Sequence, residues 1–482
     1  MQLPDLPSDV LRDIFSYCEP AKIAETCRTF ANVIHSIDSL WTTIDLRPPQ
    51  LIPEANVFLR SRLRRAGLMP LRVSIGPVMQ SNDASTVSAL CATLSEFNMQ
   101  ISTVEICAQT TLLASVIFGD IFPNASRAFL ELKSLTILTG QDRTDGCGSC
   151  MPYLDKQLES IEDRFPALER LRIPTFNDCM PMPPFGASFS SLRSLILSGA
   201  CHLESPNIVS VVAVLHCTPQ LETLWFKHGT REDEGSIPAD PGVPLDETKG
   251  RNDIYIPVTL SRLTHLAITV PGCALTLLQC IVAPVLQNLH LDGSRPPWFG
   301  LCCNPWLSYQ SKAARNALRH LALNSPDLRH IALTSTFIEQ QGWEWLLFGD
   351  SMLKPPPFPQ LETVTLHDYE TECGECVCGF DDALLVRLGN EPKIPLRRLV
   401  LSRCYLNFRS EAIVQALTAM TISDRVCELV YDDASLQFAE EDLEQLEIAG
   451  VRVIYQSKEE EDVEWFQDGP GVNIDPFDLY AY

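Results

Sequence analysis

The sequence predicts an α/β fold built by repetition, in which parallel strands follow one another and a helix returns the chain between them. Two observations predict it. A spacing of apolar residue, two others, apolar, one other, apolar recurs along most of the 482 residues. Helix-length segments whose apolar residues recur every three or four lie between the copies. Composition agrees, because 45% apolar and 20% charged residues suffice for one long repetitive core.

Clear copies begin at Leu132 (LKSLTI), Leu168 (LERLRI), Leu192 (LRSLIL), Leu221 (LETLWF), Leu263 (LTHLAI), Leu286 (LQNLHL), Leu328 (LRHIAL), Leu361 (LETVTL) and Leu396 (LRRLVL). Weaker ones begin at Leu68, Ile101, Val426 and Ile448, giving thirteen starts with a mean step of about 32 residues. The last two apolar positions alternate with the period of a strand. Pro166, Pro219, Pro284, Pro326 and Pro359 stand two residues before five of the copies. Proline disfavours helix in the residue before it and so separates one element from the next.

Tyr153 to Arg164, Asn207 to His216, Phe337 to Phe348 and Ser410 to Met420 are predicted helices. Leu318 to Leu323 (LRHLAL) repeats the strand spacing only ten residues before Leu328, which leaves no room for a crossover between parallel strands. Ser308 to Leu323 is therefore predicted as helix. Stacked units of this kind make an irregular leucine-rich-repeat solenoid of about 12 to 13 repeats over residues 68–456, its parallel sheet concave and its helices convex. Insertions interrupt it at 140–151, 229–255, 293–307 and 369–381.

Ahead of the repeats, Ser8 can cap a helix, Asp9 favours its positive end, and Val10, Leu11, Ile14 and Phe15 form one apolar face. Forty residues cannot bury that face alone. With Leu6, Pro7, Pro20, Cys27, Arg28, Phe30, Leu40 and Trp41, these residues make residues 1–46 resemble an F-box, in the short form common in fungal proteins. Six residues separate Pro20 from Cys27 where F-boxes commonly have about nine, a difference of roughly one helical turn. Residues 50–75 are similar to the helix and first strand that follow the box in fungal F-box leucine-rich-repeat proteins, with a connecting helix over 47–67. The resemblance implies docking on a Skp-type adaptor, and through it a cullin, by Leu6, Pro7, Val10, Leu11, Ile14, Phe15, Pro20, Cys27, Phe30, Leu40 and Trp41. It also implies a protein substrate held by the repeats. The alternative left open is a repeat scaffold whose box does not engage the adaptor.

Charge narrows the partners. The chain carries 37 basic and 61 acidic side chains, a net of −24, which disfavours nucleic acid and anionic membrane. Residues 440–482 alone contribute −11. The longest apolar run, Ile208 to Leu215, is broken by Ser210 and is far too short to span a bilayer. Met1 leads into Gln2, Leu3, Pro4 and Asp5 without a basic start and apolar block, so a cytoplasmic or nuclear protein is expected. In that setting the eighteen cysteines are expected to be reduced, mostly as small core residues.

Cys147 with Cys150, and Cys373 with Cys376 and Cys378, have the close spacing that zinc favours, and His367 could join the second group. Each set is incomplete alone, and reduced loop cysteines account for them, so no metal or other cofactor is expected. There is no Gly-rich phosphate loop, His-Glu-x-x-His or Gly-x-Ser-x-Gly, and no enzyme is expected. Strand residues alternating with the buried leucines must point out of the concave face. Arg170, Arg172, Trp225, Lys227, His265, Asn288, His290, Asp292, His330, His367 and Arg398 hold such positions. All of these except Asn288 and Asp292 are the candidate substrate contacts, with Trp225 as aromatic anchor. The acidic, aromatic segment 457–482 is expected to fold back on the repeats.

Overall fold

The computed structural model describes residues 38–46, 55–78, 81–123, 128–139, 161–174, 189–199, 208–228, 257–269, 273–292, 316–334, 340–349, 356–367, 381–391, 394–402, 409–422, 427–431 and 438–455. The box residues from Leu6 to Phe30, the insertions apart from Asp381, the cysteine groups at 147–150 and 373–378, and segment 457–482 lie outside them. The chain divides into two compact units, Met1–Ala200 and Cys201–Tyr482.

In the first unit, strands β1 (Thr43–Leu46), β2 (Leu71–Val78), β3 (Ile101–Ala108), β4 (Ser134–Thr139), β5 (Arg170–Pro174) and β6 (Ser194–Gly199) pair in parallel in chain order. Helices α1 (Ala55–Ala66), α2 (Ser81–Ser95), α3 (Thr111–Ile121) and α4 (Ile161–Arg164) lie in the connections. Strand β1 was not expected. It falls inside the segment read as the end of the box, yet Trp41, Ile44 and Leu46 repeat the apolar spacing and are 2%, 1% and 5% exposed. Trp41 thus takes the place of the first leucine of a repeat, and the Arg65 guanidinium of α1 covers its ring at 4.6 Å.

The core of this unit holds a cluster of Phe118, Phe122, Phe129 and Phe165, with adjacent ring centroids 4.9 to 5.9 Å apart. Arg164 is buried among them. Its Nη2 donates to the Phe122 carbonyl at 3.0 Å, and its guanidinium lies over the Phe165 ring at 5.2 Å. Burial pulls its pKa down, while the hydrogen bond and the ring faces offset part of the desolvation.

The second unit repeats the design. Its main sheet runs β7 (Thr223–His228), β9 (His265–Thr269), β11 (Asn288–Asp292), β12 (His330–Thr334), β13 (Thr363–His367), β14 (Arg398–Ser402), β15 (Glu428–Tyr431) and β16 (Arg452–Tyr455), all parallel. Short strands β8 (Val258–Thr259) and β10 (Ile281–Val282) pair separately. Helices α5 (Ile208–His216), α6 (Cys273–Cys280), α7 (316–324), α8 (Gln340–Phe348), α9 (Asp382–Asn390), α10 (Ser410–Ile422) and α11 (Glu440–Ile448) fill the connections. The described part of the predicted 308–323 segment is therefore helical.

Each of the thirteen expected repeats carries a strand. At the two end copies the pattern weakens, since Leu68 is 91% and Ile448 79% exposed while Leu71 and Val451 are buried. The proline signal has a geometric cause. Leu168, Leu221, Leu286, Leu328 and Leu361 each donate their backbone N–H to the carbonyl three residues earlier, at 3.0 to 3.2 Å in four cases and 3.4 Å for Leu328. Proline is the second residue of each of these turns, where its fixed φ suits a type I or II turn. The first turn residue, Phe165, Thr218, Ala283, Ser325 or Phe358, is at most 1% exposed, so the turn itself is core.

The strand leucines stack in register. Leu224, Leu266, Leu289, Ile331, Val364, Leu399 and Leu429 form one row and Phe226, Ile268, Leu291, Leu333, Leu366 and Leu401 the next, all 3% exposed or less. Each such side chain contributes roughly 1.5–3 kcal/mol of hydrophobic burial. The crossovers between parallel strands are right-handed as a rule and so set the connecting helices on this inner face. Gly389 of α9 permits one close helix contact, because a Cβ there would lie 2.5 Å from the Ala416 carbonyl oxygen of α10.

Candidate protein-binding surface

Residues alternating with the leucine rows form the outer face, and strand register fixes which of them are neighbours. In the second unit the first outer row is Thr223, His265, Asn288, His330, Thr363, Arg398, Glu428 and Arg452. The second is Trp225, Ala267, His290, Ala332, Thr365, Val400, Val430 and Ile454. A third places Lys227 opposite Thr269, then Asp292, Thr334, His367 and Ser402 in turn.

The first row is polar. His265 and His330 are half-buried on either side of Asn288, and burial pulls both imidazoles below their ordinary pKa of 6.5. Glu362 opposes that shift at His330, while Arg329, Arg398 and His265 add to it. The two rings are therefore mostly neutral at pH 7. The Thr264 hydroxyl lies 2.8 Å from Nδ1 of His265 and fixes that ring's orientation. Further along, Nε of Arg398 is 2.9 Å from Oε2 of Glu428, whose Oε1 is 3.1 Å from Nη1 of Arg452. One carboxylate thus ties three adjacent strands, with both arginines largely exposed.

Most sequence-predicted contacts hold the expected outer positions. Trp225 and His290 are half-buried in the second row, Arg170 is exposed in the first unit, and Lys227 and His367 lie in the third row. Arg172 differs. It holds an outer position opposite Thr136 and Ile196 but is only 6% exposed, which leaves little of it for a partner to touch. Trp41 differs likewise, since its buried ring packs beneath α1 and offers no free surface for an adaptor. Leu40 is half-buried, and the other box residues lie outside the described ones.

Sequence reasoning missed Glu428 and Arg452, although the same alternation applied to the two weak C-terminal copies would have found them. It also passed over Ala267, Ala332, Thr365, Val400 and Val430, because it sought polar outward residues and these are small and mostly apolar. Among the described residues no group of three His, Cys, Asp or Glu is placed to hold a metal ion, and no helix is long and apolar enough to cross a membrane. Burial raises the thiol pKa of Cys91 and Cys280, which leaves both as protonated core residues.

Residues 3–47 match the F-box-like family. The match includes the Leu6 to Trp41 positions and strand β1. It covers about a tenth of the chain. No curated protein matches the sequence. Among solved structures, a Bacteroides fragilis protein from a structural-genomics programme is similar over 70% of this chain and 68% of its own, with 14% identity and a TM-score of 0.33.

Proposed function

We propose that the chain is a substrate-recognition subunit of a cullin-type ubiquitin ligase. In this reading the F-box docks on a Skp-type adaptor, the sheet is an irregular leucine-rich-repeat solenoid, and its outer face holds a protein substrate. The F-box-like match at residues 3–47 is the observation that carries the reading. The parallel repeat-like sheet supports it by supplying a large face with polar and aromatic residues side by side. The chain itself does no chemistry. It brings a bound substrate close to the ubiquitin-carrying enzyme and so raises the effective concentration of the reacting groups. Such a ligase works in the cytoplasm or nucleus.

The adaptor contacts are Leu6, Pro7, Val10, Leu11, Ile14, Phe15, Pro20, Cys27 and Phe30. Removing two large apolar anchors from an interface core costs several kcal/mol, enough to abolish a micromolar complex. Titration of the full chain with purified adaptor tests this. Saturable binding that Ile14→Ala with Phe15→Ala abolishes is expected, and equal binding by that variant would show the assignment to be wrong. The six-residue spacing from Pro20 to Cys27 favours a second reading, a protein-binding scaffold without a ligase role. Absence of adaptor binding by the natural chain would select it.

A further inference from the structure

Residues 55–82 contain five arginines and no acid, in a chain with 61 acidic side chains among 482 residues. Three of the five lie on the outward side of α1. Ala55, Leu59, Leu63 and Ala66 turn one stripe of that helix into the core. At about 3.6 residues per turn, Val57, Arg60, Arg64 and Arg65 then fall on the opposite side with Phe58 beside them. The three arginines are exposed, Val57 and Phe58 are 73% and 72% exposed, and Leu68, just past the helix, is 91% exposed. Glu96 offsets one charge, its Oε1 lying 2.7 Å from Nη2 of Arg60, with both side chains about half exposed. An exposed pair of this kind is weakly held. Large apolar side chains and guanidinium groups standing together in solvent have the composition of a protein interface.

We propose that this side of α1 is a second part of the adaptor-docking surface, and that it takes an acidic patch of the adaptor with an apolar seat for Phe58. Position favours the adaptor. The 3-10 helix Asp38–Trp41 belongs to the F-box-like match and packs against α1. Trp41 is 2% exposed, and the Arg65 guanidinium covers its ring at 4.6 Å. At this end of the box the surface that a partner meets is therefore α1 rather than Trp41. The connection from β1 to β2 crosses between parallel strands, so α1 lies on the inner side of its own sheet, away from the outer rows. A partner on α1 thus leaves that unit's outer face open. Charge fixes the chemistry of the partner, because a surplus of cations is matched by carboxylates across an interface. A lipid surface would take a continuous apolar stripe, and the stripe of α1 is turned inward.

The inference rests on the substrate-receptor reading, since it presupposes an adaptor on the box. Titration of the full chain with purified adaptor at low and high salt tests it. Arg60→Glu with Arg64→Glu is expected to weaken binding about ten-fold at low salt and much less at high salt. Phe58→Ala should weaken it about ten-fold at either. Both variants should melt with the natural chain, because the altered side chains are exposed. Arg262→Glu, the same charge reversal in an exposed turn of the second unit, should leave the affinity within about two-fold. Natural affinity in both α1 variants overturns the proposal and leaves the ligase reading standing. An equal loss in Arg262→Glu assigns the effect to overall charge and also overturns it. Absence of adaptor binding by the natural chain refutes the reading and the inference together. With adaptor affinity unchanged, a dimer that Phe58→Ala dissociates in sedimentation would give this side of α1 to a second copy. Phosphatidylserine-vesicle binding lost in the arginine variant, again with adaptor affinity unchanged, would give it to a membrane. Either result overturns the proposal.

Discussion

Across the first unit the second outer row is Asp45, Ser74, Glu105, Thr136, Arg172 and Ile196. Across the second it is Trp225, Ala267, His290, Ala332, Thr365, Val400, Val430 and Ile454. Both rows sit on parallel strands in the same alternation, over leucine rows buried to the same degree. The fold therefore leaves the outer row free to vary. Asp45 to Thr136 are the residues of a solvated face, while the second unit's row buries small apolar side chains beside a half-buried tryptophan. The two outer rows thus differ in polarity and burial where the inner rows do not, and only Arg172 and Ile196 at the end of the first unit's row are buried as the second unit's small residues are.

The largest effect should come from the inner face. Leu399→Ala removes a side chain that is 1% exposed in the middle of the leucine row, and a loss of about 2–5 kcal/mol is expected from urea unfolding. The paired truncations Val400→Ala and Thr136→Ala then probe the two outer rows directly. Val400 is 2% exposed and Thr136 half-buried. About 1–2 kcal/mol is expected for the first and under about 0.5 for the second. Equal, small losses would mean that the burial of Val400 adds nothing to stability.

Smaller effects sharpen the contrast between the rows. Glu428→Gln weakens the contacts of a half-buried carboxylate with the exposed Arg398 and Arg452, and a loss of about 1 kcal/mol, shrinking as salt rises, is expected by chemical denaturation. The histidines add a pH signature. Because burial holds His265 and His330 below 6.5 when folded, the unfolded chain binds more protons just under that value. Their contribution is then complete above pH 6.5 and is lost progressively as pH falls toward their folded pKa values. His330→Gln should flatten the fall in stability below pH 6.5, and an unchanged slope would place that ring in solvent.

Much of the fold was legible because three apolar positions per repeat leave a spacing that survives even where Tyr431 replaces leucine. Helix α7 was legible for a geometric reason, the ten-residue gap before Leu328. Strand β1 was not, although Trp41, Ile44 and Leu46 keep the spacing, because the same residues also satisfy the box pattern and one reading absorbed the other. The outer face was half legible. Alternation located Trp225, the histidines and Arg398, but burial depends on what packs around a position, so the buried states of Arg172, Val400 and Val430 could not be read from spacing.

The central claim is that one end of the chain engages the ligase and the second unit's outer face holds the cargo. Affinity capture with the full chain, quantified by mass spectrometry for the natural protein and two variants, tests it most directly. Ile14→Ala with Phe15→Ala should lose adaptor and cullin while keeping the remaining partners, and Trp225→Ala should keep adaptor and cullin while losing one or more of the others. Adaptor retained by the first variant, or both groups of partners lost together in each variant, would contradict the account.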